Sequence, residues 1–255
     1  MINLFTYPHA KSVVICGDIH GDFTQLVYEM CIRYDMHDTL VIVAGDCGFG
    51  FEKPAYYEQI FRRIQTRLTG NNCWIAMMRG NHDDPSYFQE QKISHQRFRT
   101  MPDYTVVHTC GHHILCVGGA ISIDRRIRLE EMMHHPGKQY YWPNEAPSYD
   151  EPQMDEISKT GIRVDTVVTH TAPSFCELQS KQGLISWAAY DTELLADCEN
   201  ERKQMDMLLA RLRQNNHPLT RWYYGHFHHS WHSEIDGIFY KMLDIMEFHT
   251  IPPIP

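Results

Sequence analysis

Residues 12–22 read SVVICGDIHGD, β-branched and apolar at first and then broken by a glycine-rich polar loop. Such a run fits a strand buried on both faces that ends where the loop begins. Working outward, Phe23, Leu26, Val27, Met30, Cys31 and Tyr34 recur at helical spacing and predict a helix over 23–34. The pattern then repeats twice. Residues 40–44, LVIVA, end in GDCGFG. Pro54 suits the first turn of a second helix, which carries Tyr57, Ile60, Phe61, Ile64 and Leu68 on one face and stops at Gly70. Residues 73–78, CWIAMM, end in RGNHDD. Strand–loop units separated by helices predict a parallel sheet with right-handed crossovers, its polar loops gathered along one edge.

Beyond this the pattern changes. Residues 104–108 and 113–117 flank Cys110 and Gly111 and predict a hairpin. Residues 122–158 are polar, with SIDRRIR, HHPGK and YYWPNEAPSYDEP. They read as an excursion at about 120–160, with a short helix, near the mouth of the site. Residues 164–169 predict a fourth strand ending at His170. A helix bearing Met205, Leu208, Leu209 and Leu212 follows, then a fifth strand over 221–224 that ends in GHFHH. A Gly237-centred hairpin spans about 231–245. No repeat, low-complexity tract or linker divides the chain, so a single domain over 1–255 is expected, long enough for a sizeable core.

Composition narrows the class. No apolar run approaches the ~20 residues of a membrane helix, and the N-terminal MINLFTYPHAK does not resemble a secretion signal. The eight cysteines form no CxxC pair, and Cys16 and Cys116 sit inside apolar runs. Small buried thiols in a reducing compartment explain them best, which predicts a cytoplasmic protein without disulfides. The net charge of −9 argues against general affinity for a nucleic-acid backbone.

The loops carry the chemistry. Five loops, each after an apolar strand, hold metal-ligand residue types: Asp18 and His20, Asp46, Asn81 and His82, His170, then His226 and His228. Alternate residues of an extended segment can point the same way, so Asp18 with His20, or His226 with His228, can reach one ion. One histidine after a strand is more often a hydrogen-bonded structural residue, and one aspartate there is more often a turn former or cap. Five such loops would require five unrelated accidents. Imidazole and oxygen donors without a thiolate set suit Mn, Fe or Zn.

GDIHG, the Gly45-Asp46 pair, GNHD at 80–83, THTAP around His170 and GHFH at 225–228 together resemble the ordered motifs of the calcineurin-like metallophosphoesterases. The resemblance spans residues 17–228. It implies an α/β fold of two mixed β-sheets packed face to face with flanking helices, a four-layer sandwich. It implies two divalent ions, manganese favoured, with Asp18, His20 and His228 on one, Asn81, His170 and His226 on the other, and Asp46 shared. Hydrolysis would proceed through a hydroxide held between the ions. His82 would protonate the leaving oxygen, and Asp83 would orient its ring and favour the charged form.

Arg79 reads as a phosphate contact, since a guanidinium can hold two phosphoryl oxygens. RGNHD and GDIHGDF are closest in style to the branch of serine/threonine protein phosphatases and diadenosine-tetraphosphate hydrolases. That branch reads GDxVDRG where this chain has GDCGFG, so the arginine of that motif is absent. Arg125, Arg126 and Arg128, which follow GGAISID, either replace it or form a solvated face. Tyr140, Tyr141 and Trp142 read as core aromatics rather than a stacking platform, and Glu145 as a helix cap or a substrate contact. The expected activity is a phosphatase acting on a phosphorylated small molecule, a nucleotide or a phosphoprotein. A phosphodiesterase, a nucleotide pyrophosphohydrolase or a nuclease is the rival enzyme, and a silent scaffold of the same fold the rival of another class.

Overall fold

The apolar runs before the polar loops are buried throughout, because each lies between two hydrophobic layers. The computed structural model describes residues 2–176 and 181–253. In chain order the elements are β1 (Leu4–Thr6), β2 (Ser12–Cys16), α1 (Phe23–Tyr28), β3 (Thr39–Val43), α2 (Pro54–Gly70), β4 (Trp74–Met77), α3 (Ser86–Gln89), β5 (Phe98–Thr100), β6 (Thr105–Thr109) and β7 (His112–Val117). There follow α4 (Arg125–His134), α5 (Glu151–Lys159), β8 (Thr166–Thr169), α6 (Lys181–Ala188), α7 (Leu194–Gln214), β9 (Arg221–Tyr224), β10 (Trp231–Ile235), β11 (Ile238–Met242) and β12 (Phe248–Thr250).

The strands form two mixed sheets. One runs β12-β2-β3-β4-β5, parallel except for β12. The other runs β1-β6-β7-β8-β9-β11-β10, with antiparallel pairs at β6–β7 and β10–β11. Side-chain alternation builds the layers. Val13, Ile15, Leu40, Ile42, Ala76 and Met78 meet Val107, Ile114, Cys116, Val168 and Tyr223 between the sheets. The opposite faces of the strands meet helices. Val14, Cys16, Val41 and Val43 pack with Leu26, Tyr57, Phe61, Ile64 and Leu68. Leu115, Val167, Trp222 and Tyr224 pack with Met154, Ile157, Met205, Leu208 and Leu212. The result is the expected four-layer α/β/β/α sandwich.

The sequence reading differs from the structure in two places. The helix expected over 23–34 is α-helical only to Tyr28 and continues as a π-helix over Glu29–Arg33. That wider turn buries Met30 and Cys31 side by side, with Arg33 paired to Glu29 at 3.1 Å. The polar excursion holds two helices, α4 and α5, rather than one. No side chain of α4 is buried. Ion pairs hold it instead: Arg125 with Asp191 at 2.5 Å and with Asp197 at 2.7 Å. Of the aromatics expected in the core, Trp142 is buried edge-on to Phe51, while Tyr140 and Tyr141 are only half-buried. All eight cysteines are unbridged. Among the described residues no helix is long and apolar enough to cross a membrane.

Candidate metal centre

Each of the parallel strands β2, β3, β4, β8 and β9 delivers its following loop to the same edge, and the loops interlock there. The His20 amide donates to the Asp46 carbonyl at 2.8 Å, the His82 amide to Asp46 Oδ1 at 2.8 Å, and the His226 amide to Asp18 Oδ1 at 3.1 Å. The glycines of the motifs follow from this crowding. A Cβ on Gly80 would lie 2.0 Å from Asp46 Oδ1, and one on Gly225 2.2 Å from Asp18 Oδ1. Neither neighbour is a free chain end that could move aside.

The backbone is bent to aim these side chains. His20, Asp46, His226 and His228 all have left-handed backbones, with φ of 44°, 48°, 70° and 48°. Side chains other than glycine adopt that region at a cost, and such strain gathers at functional sites.

The side chains converge in two groups that share Asp46. Donor atoms of Asp18, His20, Asp46 and His228 all lie within 4.8 Å of one another. The Nε2 atoms of His20 and His228 are 3.0 Å apart. On the other side, His170 Nε2 lies 3.1 Å from Asp46 Oδ1 and 3.0 Å from Asn81 Oδ1. His170 Nδ1 donates to the Ala44 carbonyl at 2.7 Å, which leaves Nε2 to face inward. That is the arrangement by which a backbone carbonyl orients a metal-ligating histidine. His226 lies against His170, their ring centroids 5.1 Å apart.

The buried carboxylates and imidazoles of the cluster set one another's charge. Burial opposes ionisation of Asp46, yet His170, His82 and His20 outweigh it and hold the carboxyl well below the usual range. Burial likewise opposes a charged His170, but Asp46 and Asp18 push its pKa up to about 10. Burial and the neighbouring His170 hold His226 well below the ordinary imidazole value. Asp18 Oδ2 lies 3.0 Å from His228 Nε2 as a charge contact, yet it is buried with no aligned hydrogen-bond donor. Two buried carboxylates, one oxygen of them orphaned, among inward-facing imidazoles are a donor set that fits divalent transition metals.

Several residues stand elsewhere than the sequence suggested. Asp83 does not orient His82. Its Oδ1 accepts from the amides of Gly48 at 2.7 Å and Phe49 at 2.9 Å, and its Oδ2 from Cys47 at 2.9 Å and Gly80 at 2.8 Å. It ties the loop after β3 to the loop after β4. His82, instead of being favoured in its charged form, is pushed below its ordinary pKa by burial; Asp46 opposes that and Arg128 adds to it. Arg79 does not face a substrate. It is 4% exposed, its Nε donates to Asp103 at 2.9 Å, and its other nitrogens donate to the carbonyls of Asn144, Glu145 and Ala146. A buried guanidinium needs this many acceptors, and the segment 144–146 supplies them. Arg125 and Arg126 turn to Asp191. Arg128 alone of these three is placed against the site, with Nη2 2.7 Å from His82 Nε2. Sequence reasoning missed the supporting role of Ser122, whose hydroxyl accepts from Asn81 Nδ2 at 3.0 Å. GGAISID was a signal there without an assigned use.

A family model described as calcineurin-like phosphoesterase matches residues 11–230. Among solved structures, the TT1561 protein of Thermus thermophilus superposes with a TM-score of 0.56 at 13% identity, covering 94% of this chain and 98% of that one. GAP50, the anchor in the inner membrane complex of Plasmodium, gives a TM-score of 0.47 at 11% identity, covering 91% of this chain and 71% of that one. A search of curated proteins returns no significant match. With the ordered loops gathered at one edge of the sandwich and the family model spanning them, this chain belongs to the calcineurin-like phosphoesterase family.

Proposed function

We propose that this protein hydrolyses phosphoesters with two divalent metal ions and prefers phosphomonoesters. The observation that carries the reading is the convergence on Asp46 of donor atoms from both sides. Asp18, His20 and His228 would hold one ion, Asn81, His170 and His226 the other, and Asp46 both. Manganese is favoured, and iron and zinc accept the same donors. When bound, such ions supply Lewis-acid charge to the phosphoryl group and activate water. The substrate would be a phosphorylated small molecule, a nucleotide or a phosphoprotein.

His82 stands at the rim of this cluster, its ring centroid 5.5 Å from that of His20 and its amide fixed on Asp46. There, once a phosphoryl group draws Arg128 off the ring nitrogen it now donates to, His82 could carry a proton to the leaving oxygen. His82→Ala should keep its metal content yet lose about 10²–10⁴-fold in turnover of an alkyl phosphate. It should lose far less on p-nitrophenyl phosphate, whose leaving group needs no proton. Equal losses on both substrates would remove His82 from that role.

Arg128 supports the monoester preference. Asp124 accepts from its Nε at 2.7 Å and the Tyr140 carbonyl from its Nη1 at 3.1 Å, so Nη2 is directed at His82. A monoester dianion calls for this further cation, while a diester carries one charge less. The deciding assay compares p-nitrophenyl phosphate with bis-p-nitrophenyl phosphate in Mn²⁺, with Asp46→Asn as control. Arg128→Ala should cut monoester kcat/KM by about 10–100-fold, the worth of a hydrogen bond between charged groups, and change the diester little. A wild-type preference for the diester would promote the phosphodiesterase, pyrophosphohydrolase or nuclease reading.

A further inference from the structure

The loop 118–124 and the segment 142–145 meet behind Asn81. Asn81, Ser122 and Glu145 are all buried, Glu145 with 1% exposure. Ser122 Oγ donates to Glu145 Oε2 at 2.5 Å, and the Ser122 amide donates to Glu145 Oε1 at 2.7 Å. The hydroxyl has only one hydrogen, and an ionised Glu145 takes it; burial pushes that carboxyl up to about 8, while the two Ser122 hydrogen bonds act to keep it charged. What remains for Asn81 is a lone pair, and Asn81 Nδ2 donates to it at 3.0 Å. The amide is thereby held with Oδ1 on the inner side, 3.0 Å from His170 Nε2. The other end of the chain is anchored too. Arg79 Nη1 grips the Glu145 carbonyl at 2.6 Å, and the Ile121 amide donates to the buried Glu201 at 2.5 Å.

We propose that Glu145 is a positioning residue for the metal centre, acting through Ser122 to set which face of the Asn81 amide meets the cation. An asparagine amide presents either an oxygen or an NH₂ group, and only the oxygen can ligate. The two differ by a half-turn that packing alone barely distinguishes. The directed chain Asn81 to Ser122 to Glu145 removes the wrong choice before any ion arrives. This rests on the reading of Asn81 as a ligand.

Glu145→Gln tests the direction of the chain with little change of shape. Glutamine keeps one oxygen, which the Ser122 amide still needs, and must turn its NH₂ toward Ser122 Oγ. The hydroxyl hydrogen then points at Asn81 and draws its oxygen away from the site. Mn²⁺ titration of metal-free protein by calorimetry should show one binding step weakened about 10–100-fold, the usual penalty for losing an outer partner of a metal ligand. The thermal unfolding of the metal-free protein should stay close to wild type, which a merely structural role would not predict. Asn81→Ala should weaken the same step. If it leaves Mn²⁺ binding unchanged, the ligand assignment itself fails. If Asn81→Ala weakens a step while Glu145→Gln and Ser122→Ala do not, the relay alone is overturned. Should Glu145→Gln fail to fold, Ser122→Ala decides: a weakened step upholds the relay, and unchanged affinity refutes it.

Discussion

Asp46→Asn is expected to remove phosphoester hydrolysis while leaving the fold in place. Asparagine matches aspartate in size, and its oxygen can still accept from the His82 amide, which now bonds Asp46 Oδ1 at 2.8 Å. What disappears is the negative charge at the point where both groups of candidate ligands meet. His170, pushed up to about 10 by Asp46 and Asp18, would lose its first charge partner. Two cations would then share a site with one buried carboxylate fewer. Metal content per chain should fall below two, and turnover of p-nitrophenyl phosphate should fall by about 10³-fold or more, ~4 kcal/mol in the barrier. Circular dichroism should stay as in the wild type. Retention of both ions with near-normal turnover would contradict the shared-ligand role of Asp46.

Asp83→Ala should act on stability rather than on catalysis. Four backbone N–H groups, those of Cys47, Gly48, Phe49 and Gly80, point at this one carboxylate. Asp83 itself is wholly buried, so removal would strand the buried donors among them with little water to replace the acceptor. Each buried donor left unsatisfied costs about 1–3 kcal/mol. Even with partial relaxation, chemical denaturation should report a loss of about 3–5 kcal/mol, a large fraction of a typical domain's ~5–15 kcal/mol. The loops after β3 and β4 carry Asp46 and Asn81, so metal affinity should fall along with stability. An unchanged denaturation midpoint, with a defect only on poor leaving groups, would restore Asp83 to the imidazole.

The parallel core was legible because strands covered on both faces must be apolar along their buried length, and SVVIC, TLVIV and WIAM are, apart from the opening Ser12 and Thr39, whose hydroxyls bond each other. The ligand residue types were legible for a related reason, since each loop begins where such a strand stops. Shorter elements gave no such signal. β1, β5 and β12 have three residues each and take their conformation from the neighbouring strand. Arg79 and Asp83 were misread because they flank Asn81 and His82 in the chain, and nearness along a tight loop does not fix where a side chain points. Arg79 turns to Asp103 and Asp83 to the loop after β3. Glu145 was beyond reach for the opposite reason. Its connection to Asn81 passes through Ser122, and only the folded excursion brings the three together.

The site takes its residues from both layers of the sandwich. Asp18, His20, Asp46 and Asn81 follow strands of the five-stranded sheet, while His170, His226 and His228 follow strands of the seven-stranded one. Ions held by all of them would act as rivets through the two layers. The contact between the sheets is hydrophobic and non-directional, and at that edge hydrogen bonds such as His226 to Asp18 and His170 to Ala44 tie one sheet to the other. A riveted edge cannot part without releasing its ions. Loading the metal would therefore make the two sheets unfold as one cooperative unit, and catalytic competence and mechanical unity of the protein would be gained in the same event.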